Sequence, residues 1–276
     1  MTRLVRRLPW IVAVALVVGI GISQLILTIG DWHLRDAGAY WEAALRIRGG
    51  EPLYPPLSDT EASEVYRYAP WFAYAWVPLT LLPRDAAMVI WSAILLVASA
   101  AAVTPLARDR AWLAVAFFTP ILVGIAGIGN VQPLIVAALV LGVERRSGPL
   151  WIALAASLKV VPILVAVVYA GRGEWRRALL TALLTALIVV PMLLFDLTNY
   201  PTGAGDAAAL FGIPVLYGLV VGAAILVTVR LARTPHGWLA ASTAAVLALP
   251  RLFVYDVTFV LAGYPRSDGH RQTTQP

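Results

Sequence analysis

The chain has 276 residues, 60% of them hydrophobic and only 13% charged, against roughly 25% charged in an ordinary soluble domain. It contains no cysteine, which excludes disulfides, thiolate metal sites and cysteine nucleophiles. The net charge of +6 comes from short arginine clusters set between apolar segments, the pattern of cytoplasmic loops and not of a nucleic-acid surface.

The composition is that of an all-α polytopic membrane protein. MTRLVRR precedes a long apolar run, which predicts a retained first span at 9–29 with its N-terminus in the cytoplasm. Further apolar segments fall at 69–82, 86–106, 111–127, 131–143, 150–170, 177–195, 211–232, 238–249 and 252–264. Several are shorter than the ~20 residues that cross a bilayer core. Pro78, Pro120, Pro162, Pro191, Pro214 and Pro250 lie in or beside them. Such breaks are tolerated where the freed backbone lines a cavity or packs on protein. Trp10, Trp112, Trp151, Trp175 and Trp238 sit near the segment ends, where an interfacial belt is expected. Residues 1–264 read as one membrane domain, and 265–276 as a disordered polar tail.

The hydrophilic stretch 30–68 follows the first span and is expected outside. It carries Asp31, Asp36, Glu42, Glu51, Asp59, Glu61 and Glu64, seven of the 15 acids. Within it, DAGAYWEAALRIR (36–48) has helical periodicity, with Tyr40, Trp41, Ala44 and Leu45 on one face and a Glu42–Arg46 pair on another. This predicts an amphipathic helix on the outer membrane surface. Asp36 heads it, where a carboxylate can cap the helix or serve as a base.

Charge parity constrains the later segments. The clusters ERR (144–146) and GRGEWRR (171–177) both look cytoplasmic, yet one straight span at 150–170 would separate them. A hairpin breaking near Lys159-Val160-Val161-Pro162 resolves the conflict and puts Lys159 at a tip inside the membrane. Lys159 is the only lysine beside 20 arginines, and a buried ammonium marks a functional site by default. The same logic folds 111–143 into a hairpin with GNVQP (129–133) at its tip, so that ARDR (107–110) and ERR share a side. The parity then requires 69–82 to be re-entrant. Arg251 and Asp256, within LPRLFVYD, are a possible internal ion pair.

No GxxxxGK[ST] loop, no Asp-x-Asp pair and no ligand-spaced histidines are present, so neither a nucleotide nor a metal site is expected, and no cofactor. DAGAYWEAALRIRGGEPLY (36–54), YRYAPWFAYAWVPLTLLP (66–83), GNVQPLIVAAL (129–139), AASLKVVPILVAVVY (155–169), GEWRRAL (173–179) and LPRLFVYD (249–256) follow in that order. Together they resemble glycosyltransferase family 87, a family of GT-C-fold membrane transferases that use polyprenyl-phosphate mannose. The resemblance implies a GT-C-like helical bundle in the plasma membrane. It implies inverting transfer on the outer face from a polyprenyl-phosphate sugar to a lipid or glycan acceptor, with Asp36 as base. In that setting Lys159 and Arg251 would bind the donor phosphate, and Tyr40, Trp41, Asn130, Gln132 and Asp256 would contact substrate. Two features depart from the family pattern: the chain is short, and the amides of the usual Gly-Gln-x-Asn are exchanged in Gly129-Asn130-Val131-Gln132. A secondary transporter or lipid flippase, and an inactive partner subunit, are the rival readings.

Overall fold

The computed structural model describes Gly19 and residues 34–56, 65–201 and 212–264. Every element within them is helical. Apart from Gly19, the expected first span at 9–29 lies outside the described residues, as do Asp31 and the tail 265–276. Helix α1 (Arg35–Gly49) is followed by a short α2 (Pro70–Trp76), which a 3-10 turn (Val77–Leu81) extends before Pro83 leads into α3 (Arg84–Arg108). Then come α4 (Trp112–Gly127), α5 (Gln132–Gly142), α6 (Gly148–Leu158), a 3-10 segment (Val161–Ala166) and α7 (Val167–Arg172). Helix α8 (Trp175–Val189) ends in a 3-10 turn (Val190–Leu194), and α9 (Pro214–Leu231), α10 (Gly237–Leu247) and the 3-10 helix Val254–Gly263 complete the fold.

Among the described residues three helices are long and apolar enough to cross a membrane: α3, α8 with its 3-10 extension, and α9. At 1.5 Å per residue the 25 residues of α3 reach about 37 Å. The protein is therefore an α-helical membrane protein. Helices α8 and α9 turn large apolar side chains outward, among them Leu183, Leu187 and Leu219, as lipid-facing helices do.

The shorter apolar helices form hairpins. In the first, α4 and α5 flank a tip at 128–131, and the Trp91 indole near the start of α3 donates to Gly129 O at 2.9 Å. The tip thus lies beside the beginning of α3, while residues 107–110 and 144–146 share the opposite, root end. In the second, α6 stops at Leu158, Lys159 is extended (φ −140°, ψ 131°), and the chain returns through Val161–Ala166 and α7. The return is closed by contacts at the root: Tyr169 Oη donates to Val143 O at 2.6 Å, and Arg177 Nη2 donates to Tyr169 Oη at 3.1 Å and to Arg145 O. The break at Lys159–Pro162 and the common side of the two basic clusters are as charge parity requires.

The third hairpin departs from expectation. Segments 238–249 and 252–264, read as two crossings, are the legs of one turn-back: Gly263 packs directly on the Leu239 backbone. Charge parity gives no warning, because Arg251 marks the tip and not a loop. Trp238 belongs to this root as well. Expected in an interfacial belt, it is 5% exposed, with the Arg172 guanidinium 4.9 Å from its ring and Tyr169 against it edge-on. Trp112 and Trp175 are exposed, as a belt requires.

Helix α1 is amphipathic, but its apolar face is taken up by the protein. Ala37, Tyr40, Trp41 and Ala44 are buried, the helix packs on α2 and its extension, and Arg48 donates to Thr80 O at 2.8 Å. Tyr40 meets Phe72, Trp76 and Trp91 edge-on at centroid distances of 4.9, 5.5 and 5.9 Å, a geometry that suits ring quadrupoles. Residues 70–81 fold back against α1 instead of crossing. Exposed positions at the two ends can be tested with single cysteines in this cysteine-free chain. Arg146→Cys and Arg176→Cys are expected to respond alike to an impermeant thiol reagent on intact cells, and Glu51→Cys oppositely. Different labelling at 146 and 176 would refute the second hairpin.

Candidate functional site

The tips of the hairpins meet α1 at one end of the bundle. Backbone bonds set the position of α1: Asp36 N–H donates to Ile128 O at 2.9 Å and Leu34 N–H to Gly127 O at 3.3 Å. Leu34 precedes the helix in the left-handed region (φ 48°), a conformation that costs an L-residue roughly 1–2 kcal/mol. These two bonds to the first tip hold it there. Leu34 occupies the N-cap position and no side chain caps the helix. Asp36 therefore sits inside the first turn, which leaves its carboxylate for other partners. The positive end of the helix dipole favours an anion at this place.

Gly129 makes the approach possible. It has φ +82°, and a Cβ there would lie 2.7 Å from Ala37 Cβ and 2.8 Å from Ala37 N. Gly129→Ala is expected to lose roughly 1–2 kcal/mol from the backbone conformation alone, and to push α1 off the tip. Its unfolding temperature should fall, with a larger proportional loss of activity than Gly50→Ala, whose left-handed glycine faces open space.

Asn130 Nδ2 donates to Asp36 Oδ2 at 2.6 Å, while Asn130 Oδ1 accepts the Gln132 N–H at 2.9 Å. Burial raises the Asp36 pKa above the ordinary carboxylate value; the bond from Asn130 and the charges of Lys159 and Arg67 act in the opposite sense. The result is a half-buried carboxyl of increased proton affinity with one oxygen engaged. A raised proton affinity with one oxygen uncommitted is what a general base requires.

From the second tip, Lys159 Nζ donates to Gln132 Oε1 at 2.9 Å and lies 3.3 Å from Asp256 Oδ1. Asp256 Oδ2 accepts the Phe253 N–H at 2.9 Å. Gln132 Nε2 donates to Thr258 Oγ1 at 3.2 Å. The ammonium stands 4.7 Å from the Tyr255 ring centroid, with its side chain 20% exposed. It stands at the C-terminal end of α6, where the dipole favours a cation. Tyr255 stacks on Phe253 at 5.1 Å and 9°, and the Arg251 guanidinium covers Phe253 at 5.0 Å.

The structure thus brings Asp36, Asn130, Gln132, Lys159 and Asp256 into one cluster. Arg251 stands apart, exposed, at the far end of the two-ring stack. The carboxylate expected to pair with it is 1% exposed and bonded to Lys159. Tyr40 and Trp41 are 1% and 7% exposed; packed beneath the site, they have no ring face open to a ligand. Gln132 is fully buried, with both ends of its amide bonded to protein. The half-buried rings beside the carboxylate are those of Tyr68 and Tyr255, with Arg67 alongside. Their signal in the sequence is weak: YRY and VYD place a tyrosine next to a charge, as many loop sequences do. Among the described residues no group of acids and histidines could hold a metal ion.

The profile of glycosyltransferase family 87 matches residues 66–254. The match includes Asn130, Gln132, Lys159 and Arg251, while Asp36 precedes it and Asp256 follows it. No curated protein and no solved structure matches the chain.

Proposed function

The chain belongs to glycosyltransferase family 87, and from that premise we propose that it transfers a hexose, mannose in the first instance, from a polyprenyl-phosphate donor. The acceptor is a lipid or glycan on the outer side of the plasma membrane, and the bundle is of GT-C type. One observation carries the reading: a half-buried carboxylate with a single engaged oxygen lies within electrostatic reach of the only lysine, and the two arrive from separate elements. Acid and cation have complementary tasks. The acceptor hydroxyl attacks the anomeric carbon from the face opposite the phosphate and gives its proton to Asp36. As the new C–O bond forms, the bond from that carbon to the phosphate oxygen breaks and its electron pair leaves with the phosphate. Lys159 compensates the charge that grows there, and the anomeric configuration inverts.

Arg251, exposed beside Leu252 and Phe253, meets the phosphate first on this reading, before it reaches Lys159. Tyr68 offers the half-buried ring on which a sugar can stack, since Phe253 and the Lys159 ammonium occupy the Tyr255 ring. Purified protein incubated with radiolabelled polyprenyl-phosphate mannose and a membrane lipid extract is expected to yield a new labelled product whose anomeric configuration is opposite to the donor's. Absence of any labelled product would refute the reading.

A further inference from the structure

The site holds two amides whose hydrogen bonds can be assigned in only one direction. Asn130 Oδ1 accepts a backbone N–H, so its Nδ2 must face Asp36. Gln132 Oε1 accepts from an ammonium, so its Nε2 must face Thr258 Oγ1, whose own hydrogen goes to Tyr255 O at 2.6 Å. The backbone N–H of Gln132 is the one that Asn130 accepts. One short segment, at the tip of the first hairpin, therefore orients two of the charged groups of the site, Asp36 and Lys159. Asp36 Oδ1 has no hydrogen-bond partner among the described residues, which leaves it as the oxygen able to take a proton.

On the proposed function, we propose that Asn130 and Gln132 are positioning residues with separable tasks. Asn130 fixes the carboxylate so that Oδ1 meets the acceptor hydroxyl, and Gln132 aims the Lys159 ammonium at the donor phosphate. Neither amide touches substrate: Asn130 is 6% exposed and Gln132 is fully buried.

The separation makes the idea testable. Asn130→Leu removes a bond that favours the ionised carboxylate, so the Asp36 titration should move to higher pH, and the acidic limb of the kcat profile with it. The charged and titratable groups facing Asp36 are Lys159 from the second tip, Arg67 and Tyr68 from the strand of chain before α2, Tyr40 from its own helix and Tyr255 from the third hairpin. All stay in place in this variant. Gln132→Met should instead weaken binding of radiolabelled polyprenyl-phosphate mannose by about tenfold, as expected for a lost hydrogen bond to a charged group, and move the Asp36 titration far less than Asn130→Leu does, because it leaves the Asn130 bond in place. Thr258→Val offers a second route that spares Gln132. It releases the amide to rotate, and should weaken binding several-fold without unfolding.

The Asp36 titration can be followed without turnover, as the carboxyl band in pH-difference infrared spectra that is missing from Asp36→Asn. An unchanged midpoint in Asn130→Leu would overturn the role of Asn130. Unchanged binding in both Gln132→Met and Thr258→Val, or loss of binding that merely follows loss of folded protein, would overturn that of Gln132. Wild-type protein that transfers no sugar would refute the proposed function separately, while the infrared midpoint would still decide Asn130.

Discussion

Asp36→Asn is expected to lower sugar transfer by about 10²–10⁴-fold, the contribution of a positioned general base, and to leave the fold intact. The asparagine carbonyl can accept the Asn130 amide that Asp36 Oδ2 accepts at 2.6 Å, so the packing of α1 on the first tip is preserved. The sign of the stability effect is also fixed. A carboxyl whose pKa is raised on folding contributes its stability below the unfolded value, and that contribution is lost as pH rises through the folded value. Burial puts Asp36 in this class. At neutral pH the variant should therefore unfold at the same temperature as the wild type or a higher one. Asp31→Asn should cost far less activity. Substantial turnover in Asp36→Asn, measured with radiolabelled donor, would rule the carboxylate out as the base.

Lys159→Met should produce the second large effect, with two components that need separating. Removing the ammonium weakens donor binding, and it strands Asp256, which is 1% exposed. Breaking a buried pair on one side typically costs about 3–5 kcal/mol; here the exposed part of the lysine pulls the figure toward the lower end. The double variant Lys159→Met/Asp256→Asn leaves no buried charge, and its Phe253 N–H bond can persist. We expect the double variant to recover most of the lost stability and none of the lost donor affinity. Lys159→Arg should recover part of both, because a planar fork must fit between Gln132 and the Tyr255 ring where a compact ammonium now sits. Wild-type donor affinity in the double variant would mean that the lysine serves the fold alone.

What was legible in the sequence was mostly what charge writes into it. Basic clusters at 144–146 and 171–177 required the chain to turn back, and Lys159 stood out as a lone ammonium in an apolar run. The helix that carries Asp36 was legible from its aromatic face. The third hairpin was hidden because no charge separates its two legs except Arg251 at the tip, so nothing contradicted two crossings. The partner of Asp256 was hidden for another reason. Arg251 is near it in sequence, while Lys159 reaches it only after the second and third hairpins have folded back, and no local pattern records that meeting. Helical periodicity marks Tyr40 and Trp41 as one apolar face without saying whether sugar, lipid or protein covers it. For Tyr40 protein does: Phe72, Trp76 and Trp91 surround its ring.

Gly263, pressed on the Leu239 backbone at the root of the third hairpin, has a mechanical consequence for the distant tip. A hairpin gripped at its base behaves as a lever: a small change in the angle between its legs becomes a larger displacement at the free end. Asp256 and Tyr255 ride on one of those legs and set where the Lys159 ammonium rests. The tolerance of the charged cluster is therefore governed from the opposite end of the molecule, by the closeness with which one backbone lies on another.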